Sequence, residues 1–212
     1  MLNNGKEKIG IVFNLDKHNM SGSHWVSMFV DLNNGGIFFI DSVGNKPKNE
    51  IKVLMNRIKK QGNQLLISKI MDTDYFSRKY QSTCDIVKTK DNYILECRDK
   101  VSKDMEGMIL EYYSKKNNKT INRKIKKISG NKIYLDKPID EDMKSINIYG
   151  FRLFYNKVNH QQKDSECGTY SIYFLSRLVG GEDFNKVIHD IKRDDLMNSY
   201  RDSKFYRPNK YT

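Results

Sequence analysis

The stretch "HWVSMFVDLNNGGIFFIDS", residues 24 to 42, constrains the fold more than any other part of the chain. Val, Ile, Phe and Trp fill both flanks, and the "NNGG" between them consists of residues that tolerate the positive φ of a hairpin turn. Two neighbouring strands are therefore expected, with "KIGIVFNLD" as a third strand before them and "HNMSGS" as the connecting turn. Pro47 then opens "KNEIKVLMNRIKKQG", in which Ile51, Leu54, Met55 and Ile58 share one helical face and Gly62 fits a C-terminal cap. From about residue 69 to 148 the pattern changes to short alternating pieces, "DNYILECRD", "MILEYYS" and "NKIYLDKPI", broken by polar turns. This segment reads as a β-rich insertion. "INIYGFRLFYNKV" returns as a strand, and Tyr170, Tyr173, Phe174, Leu175 and Leu178 give a last clear helix a buried face that ends at Gly180 and Gly181.

A chain of 212 residues with 38% apolar and 11% aromatic content can bury a full core, as one domain with a sizeable insertion or as two small domains. Its three cysteines are odd in number and widely spaced, which argues against a disulfide framework and for an intracellular protein. The N-terminus has no signal-peptide core, and no run reaches the ~18 apolar residues of a membrane span, so a soluble protein without membrane contact is expected. A net charge of +12 can mark nucleic-acid binding, but Lys, Asn and Ile are abundant throughout, which by itself accounts for such a charge.

"NHQQKDSECGTYSIYFLSRL" places Cys167 where a loop gives way to a helix. A helix N-terminus presents unpaired N–H groups and the positive end of the dipole, which favour a thiolate over a thiol, so Cys167 is a candidate nucleophile. Gly168 beside it leaves an incoming carbonyl unobstructed. Of the four histidines, His24 has the best setting for a base, at the head of a strand and after a turn of small residues. Asp41 ends the next strand. If the two strands pair as a hairpin, the start of one lies beside the end of the other, and Asp41 can orient His24. Each residue alone also has an ordinary structural reading, as core thiol, surface imidazole and turn opener. Only the combination points to chemistry.

The order His-Trp, strand-end Asp, then Gln with five residues before Cys-Gly, carried by "SHW", "FFIDS" and "QQKDSECG", resembles the cysteine peptidases that include the SUMO-specific proteases and the adenovirus processing protease. The nearest likeness is to the polyprotein-processing proteases of large cytoplasmic DNA viruses, over residues 8 to 68 and 149 to 205. The resemblance implies an α+β, papain-like cysteine peptidase core formed by residues 1–68 and 149–212, with 69–148 as the β-rich insertion. It implies Cys167 as nucleophile, His24 as general base and then acid, Asp41 as orienter, and Gln161 as the oxyanion-hole amide with the Cys167 N–H. Gln162 is the rival by adjacency. Trp25 corresponds to a wall of the channel that admits a Gly-Gly segment, with Gly168 opposite. The SUMO-specific proteases cover that channel with a second tryptophan, whereas this chain has one. No cofactor and no metal are implied.

The expected substrate is a viral structural polyprotein, cut after Gly-Gly at assembly sites in the host cytoplasm and in the virion. The alternatives are an isopeptidase acting on SUMO- or ubiquitin-like modifiers and a nucleic-acid-binding protein on an inactive scaffold. Cys84 and Cys97 read as core residues. "SKKNNKTINRKIKKISGNK", residues 114 to 132, carries eight Lys or Arg and no acid, so Lys124, Lys126 and Lys127 are candidates for binding DNA or another polyanion, against the plain reading of a solvated basic face.

Overall fold

A computed structural model describes residues 6–16, 19–20, 22–67, 80–82, 84–87, 94–99, 101–139, 143 and 145–205; His18, part of the "HNMSGS" turn and residues 91–93 lie outside the described residues. The elements run β1 (Lys8–Asn14), β2 (Trp25–Asp31), β3 (Gly36–Ile40), α1 (Asn49–Ile67), β4 (Tyr80–Ser82), β5 (Cys84–Val87), β6 (Ile94–Cys97), β7 (Ile109–Ser114), β8 (Lys119–Ser129), β9 (Lys132–Leu135), β10 (Ile146–Tyr149), β11 (Arg152–Tyr155), α2 (Cys167–Val179), α3 (Phe184–His189) and α4 (Asp194–Lys204). They form two compact units, one of Met1–Asp31, Gly36–Val53 and Leu153–Thr212, the other of Leu32–Gly35 and Leu54–Arg152. The second unit thus takes in most of α1, which the sequence boundary at residue 68 assigns to the core.

In the first unit a four-stranded sheet has the order β1-β2-β3-β11. The expected hairpin pairs β2 with β3 antiparallel, Ser27 opposite Ile40 and Asp31 opposite Gly36. Gly35 takes φ +67 in the turn, a conformation that costs an L side chain strain. β1 pairs with β2 along its whole length. The outer strand β1 is partly exposed, whereas Val26–Val30 and Gly36–Ile40 are buried at every position, so the inner strands are covered on both faces. On one face α2 lays Tyr170, Phe174 and Leu178 against Phe29, Phe38 and Ile40. Phe184, Val187 and Ile188 of α3 and Met197 of α4 complete that core. The Phe38 ring lies 4.9 Å from Phe154 and 4.7 Å from Phe184. Each such side chain contributes ~1.5–3 kcal/mol by leaving water. This packing fixes the axis of α2, and with it the place of Cys167.

α1 runs past Gly62, where the sequence suggests a cap. A Cβ at Gly62 would overlap the Phe151 ring, so this glycine serves close packing and not chain reversal. Likewise "INIYGFRLFYNKV" is two strands. Gly150, whose Cβ would strike Met108, and Phe151, whose N–H donates to Asn63 Oδ1 at 2.8 Å, divide it into β10 and β11, which belong to different sheets. The helices α3 and α4 follow the one that reads as last in the sequence.

The second unit is a seven-stranded sheet of order β4-β10-β7-β8-β9-β6-β5 over a core that includes Leu95, Leu110, Tyr112, Ile125 and Ile133. Cys84 and Cys97 are buried there, but as a disulfide and not as separate thiols, because β5 and β6 pair with the two residues directly opposite each other. β8 turns Ile125 and Ile128 inward and keeps Lys124, Lys126 and Lys127 exposed, with a bulge between Ile125 and Lys127. Among the described residues no helix is long and apolar enough to cross a membrane.

Candidate active site

The start of α2 and the β2–β3 end of the first unit's sheet bring together four of the residues that the sequence singles out. His24 Nε2 lies 2.7 Å from Asp41 Oδ1, the His24 side chain being 20% and the Asp41 side chain 2% exposed. The backbone N–H of Trp25, the next residue after His24, donates to Cys167 Sγ at 3.4 Å. Antiparallel pairing explains both contacts, since the head of β2 lies beside the tail of β3. Because Nε2 faces Asp41, Nδ1 is the ring nitrogen left for a thiol or a substrate. Glu166, at the N-cap of α2, makes no side-chain cap bond, so its carboxylate leaves the first N–H groups of the helix to other acceptors.

Asp41 is immobilised from several sides. Its Oδ1 also accepts from Val43 N–H at 2.9 Å. Asn156, fully buried at the end of β11, accepts from the Asp41 N–H at 2.9 Å and donates to the Asp41 carbonyl at 2.7 Å. Ser42 ties in the loop before Cys167. Its carbonyl accepts from the N–H groups of His160 (2.7 Å) and Gln161 (3.0 Å), and its hydroxyl donates to Gln161 Oε1 at 2.6 Å. Gln161 Nε2 donates to the Lys163 carbonyl, which leaves the second N–H of that amide available. Gln161 is buried and Gln162 exposed, which separates two residues that adjacency alone cannot.

The same loop is held from below by Asp194, at the start of α4. Its Oδ2 accepts from the N–H groups of Gln162 at 3.1 Å and Lys163 at 2.8 Å, and its Oδ1 from the Tyr170 hydroxyl at 2.9 Å. Burial, and the carboxylate beside it, hold the Tyr170 hydroxyl in its protonated form far above its ordinary range. Ser42, Asn156 and Asp194 are absent from the reading of the sequence. Ser42 and Asn156 each stand at a strand end, and Asp194 in the acidic pair that opens a helix, which is the signal available for them.

The other described histidines are used elsewhere. His160 is buried, with Nε2 on the Ile188 carbonyl at 3.0 Å and its ring edge-on to Phe174, and burial lowers its pKa from 6.5. His189 is exposed on α3. Trp25 is 40% exposed, and a Cβ on Gly168 would lie 3.8 Å from its indole, so ring and helix start form adjoining walls. Among the described residues no group of three or more His, Cys, Asp or Glu could hold a metal ion.

No protein-family model matches the chain. "Putative thiol protease R355" of Acanthamoeba polyphaga mimivirus is 25% identical over 212 residues, which are all of this chain and 43% of that protein. The chain therefore spans less than half the length of this relative. Among solved structures, the ASFV pS273R protease superposes with a TM-score of 0.50 at 17% identity, over 95% of this chain and 45% of that one. The fold is accordingly the α+β, papain-like protease fold that the sequence motifs imply.

Proposed function

We propose that this chain, similar over its whole length to the mimivirus "Putative thiol protease R355" and built on a protease fold, is a cysteine endopeptidase that cuts viral structural polyproteins after Gly-Gly during virion maturation. One observation carries the reading: His24 is bonded to Asp41 at 2.7 Å while the next residue, Trp25, donates its N–H to Cys167 Sγ at 3.4 Å.

In this mechanism His24 takes the thiol proton and Cys167 Sγ attacks the scissile carbonyl carbon. A C–S bond forms as the π pair moves onto oxygen. The Cys167 N–H and the second N–H of Gln161 Nε2 stabilise that oxyanion. Collapse breaks the C–N bond, and His24 passes its proton to the departing amine. Water then gives a proton to His24 and attacks the thioester, the C–S bond breaks, and the thiol recovers its proton. Asp41 keeps the ring oriented and stabilises the imidazolium. The half-exposed Trp25 indole beside Gly168 at the start of α2 supports Gly at both positions, in a slot walled by that ring. Host-cytoplasmic assembly sites and the virion are the proposed places of action, on the resemblance alone.

The test is a cleavage screen of Gly-Gly-Xaa peptides beside Gly-Ala and Ala-Gly counterparts and SUMO and ubiquitin precursors, with Cys167→Ala as control. Gly-Gly peptides alone should be cut, by a margin above the ~1–3 kcal/mol that one methyl group gives in an ordinary pocket. Activity surviving in Cys167→Ala would sink the mechanism. Cleavage of the precursors but not of the peptides would instead support an isopeptidase.

A further inference from the structure

The second unit carries an open cleft unrelated to the thiol chemistry. One cavity of ≈ 220 Å³ is lined by Lys59 and Lys60 of α1 and by Lys124 of β8, among others. A second, of ≈ 500 Å³, is lined by Lys119, Arg123, Lys124 and Lys137. Ile67 and Lys124 line both, so the two adjoin. We infer that this cleft binds the phosphate backbone of duplex nucleic acid, without reading sequence.

Its acids are already used, and of its five lysines only Lys59, which donates to the Asp104 carbonyl, is. Glu106 Oε1 accepts from the Ile128 N–H at 2.9 Å, and Asp136 Oδ1 from the Lys124 N–H at 2.8 Å. Among the described residues the ammonium groups of Lys60, Lys119, Lys124 and Lys137 meet no carboxylate at ion-pair distance. All four are exposed, so each is free to turn toward a ligand. Lys59 is the more deeply set, and burial lowers its pKa, so an anion in the cleft would stabilise its charged form.

The arrangement separates ligand classes. Lys119 and Lys124 stand five residues apart on one strand, ~16 Å at β-strand rise, which is more than one phosphate ion can bridge. The lining, among the described residues, has no aromatic ring on which unpaired bases could stack, which disfavours single strands. Planar carboxylates are best gripped by arginine forks, but Arg123 donates to the carbonyls of Pro138 at 2.6 Å and Asn122 at 3.0 Å. What remains are flexible point charges suited to phosphates. The site also differs from the linear basic run, because only Lys124 of its candidate trio lines the cleft. Lys127 instead lies over the Tyr134 ring, 5.8 Å from its centroid.

Fluorescence anisotropy of the full chain with a labelled 20-base-pair random duplex, over a salt series, tests this. The unaltered protein should bind, and Lys60→Ala/Lys119→Ala/Lys124→Ala should weaken binding at least tenfold. It should also lower the slope of log K against log salt by roughly 0.9 for each lysine that contacts a phosphate. Lys126→Ala/Lys127→Ala should change affinity less than threefold. Circular dichroism confirms that both variants are folded. No binding at low salt, or an equal loss in the two variants, would overturn the cleft. Equal displacement by polyglutamate of matched charge would overturn the choice of nucleic acid. None of these outcomes depends on peptidase activity, so this inference and the proposed function fail separately.

Discussion

Replacing Asp194 probes how the loop that carries Gln161 is held. Among the described residues the Asp194 carboxylate bonds to neither Cys167 nor His24, yet, buried, it accepts from two successive loop N–H groups, at 3.1 and 2.8 Å, and from Tyr170 at 2.9 Å. In Asp194→Asn one oxygen becomes an NH2 group, and in either orientation that amide sets a donor against a donor. If it faces Tyr170, the hydroxyl can turn fully to the Lys192 carbonyl, already at 2.8 Å. If it faces the loop, the bonds from Gln162 and Lys163 are lost. Hydrogen bonds to a charged acceptor are worth ~1.5–3 kcal/mol each, and the exposed loop recovers part of this from water, so a stability loss of ~2–4 kcal/mol is expected. Gln161 immediately precedes this anchor. A shift of about 1 Å in a positioned group costs on the order of 10²-fold in rate, so kcat on a Gly-Gly peptide should fall ~10–100-fold with KM nearly unchanged. The assay is steady-state cleavage well below the variant's melting temperature, normalised to sites titrated with a thiol-reactive Gly-Gly aldehyde. A variant that melts lower but keeps kcat within twofold would refute the argument, because the carboxylate would then support the fold without positioning the loop.

Gln161→Ala should lower kcat by on the order of 10²-fold with little change in KM, and exposed Gln162→Ala should be milder; a larger defect at Gln162 in the same peptide assay would reverse their roles. Gly62→Ala should destabilise by ~1–3 kcal/mol in urea unfolding, because overlap with Phe151 outweighs the ~1 kcal/mol by which alanine favours a helix. The lowered pKa of His160 sets a sign for acid sensitivity. The unfolded chain takes up this proton near pH 6.5 while the folded chain resists it, so stability is full above 6.5 and declines as pH falls below it. His160→Asn should flatten that decline, measured as Tm between pH 7 and 5.

The parts of the site visible in the sequence are those that local pattern dictates. The "NNGG" turn forces β2 and β3 into a hairpin, which puts His24 beside Asp41 although 17 residues separate them. The apolar period after Cys167 starts a helix at that residue. What escapes is whatever depends on distant partners. Asn156 reaches Asp41 across 115 residues and Gln161 meets Ser42 across 119, and neither pairing leaves a period in the chain. Gly62 reads as a stop signal because nothing local announces the Phe151 ring. In the same way a six-residue helix such as α3 is too short to show periodicity, although Asp183, whose carboxylate accepts from the Asn185 and Lys186 N–H groups, marks its start.

The pairing of Cys84 with Cys97 changes how this protein must be handled as a reagent. Of three cysteines only Cys167 is a free thiol, so a thiol count on the native chain should give one equivalent, rising to three after reduction and unfolding. Any alkylating or mass-tagging agent is then a reporter of a single position without prior mutagenesis. The reductants customarily added to keep a peptidase thiol active act on two chemically distinct places here. One is the sulfur beside Trp25, and the other is a cross-link that closes thirteen residues of sequence in the second unit. A response of cleavage rate to reductant therefore has to be compared with the tagged mass of the chain before it is assigned to Cys167.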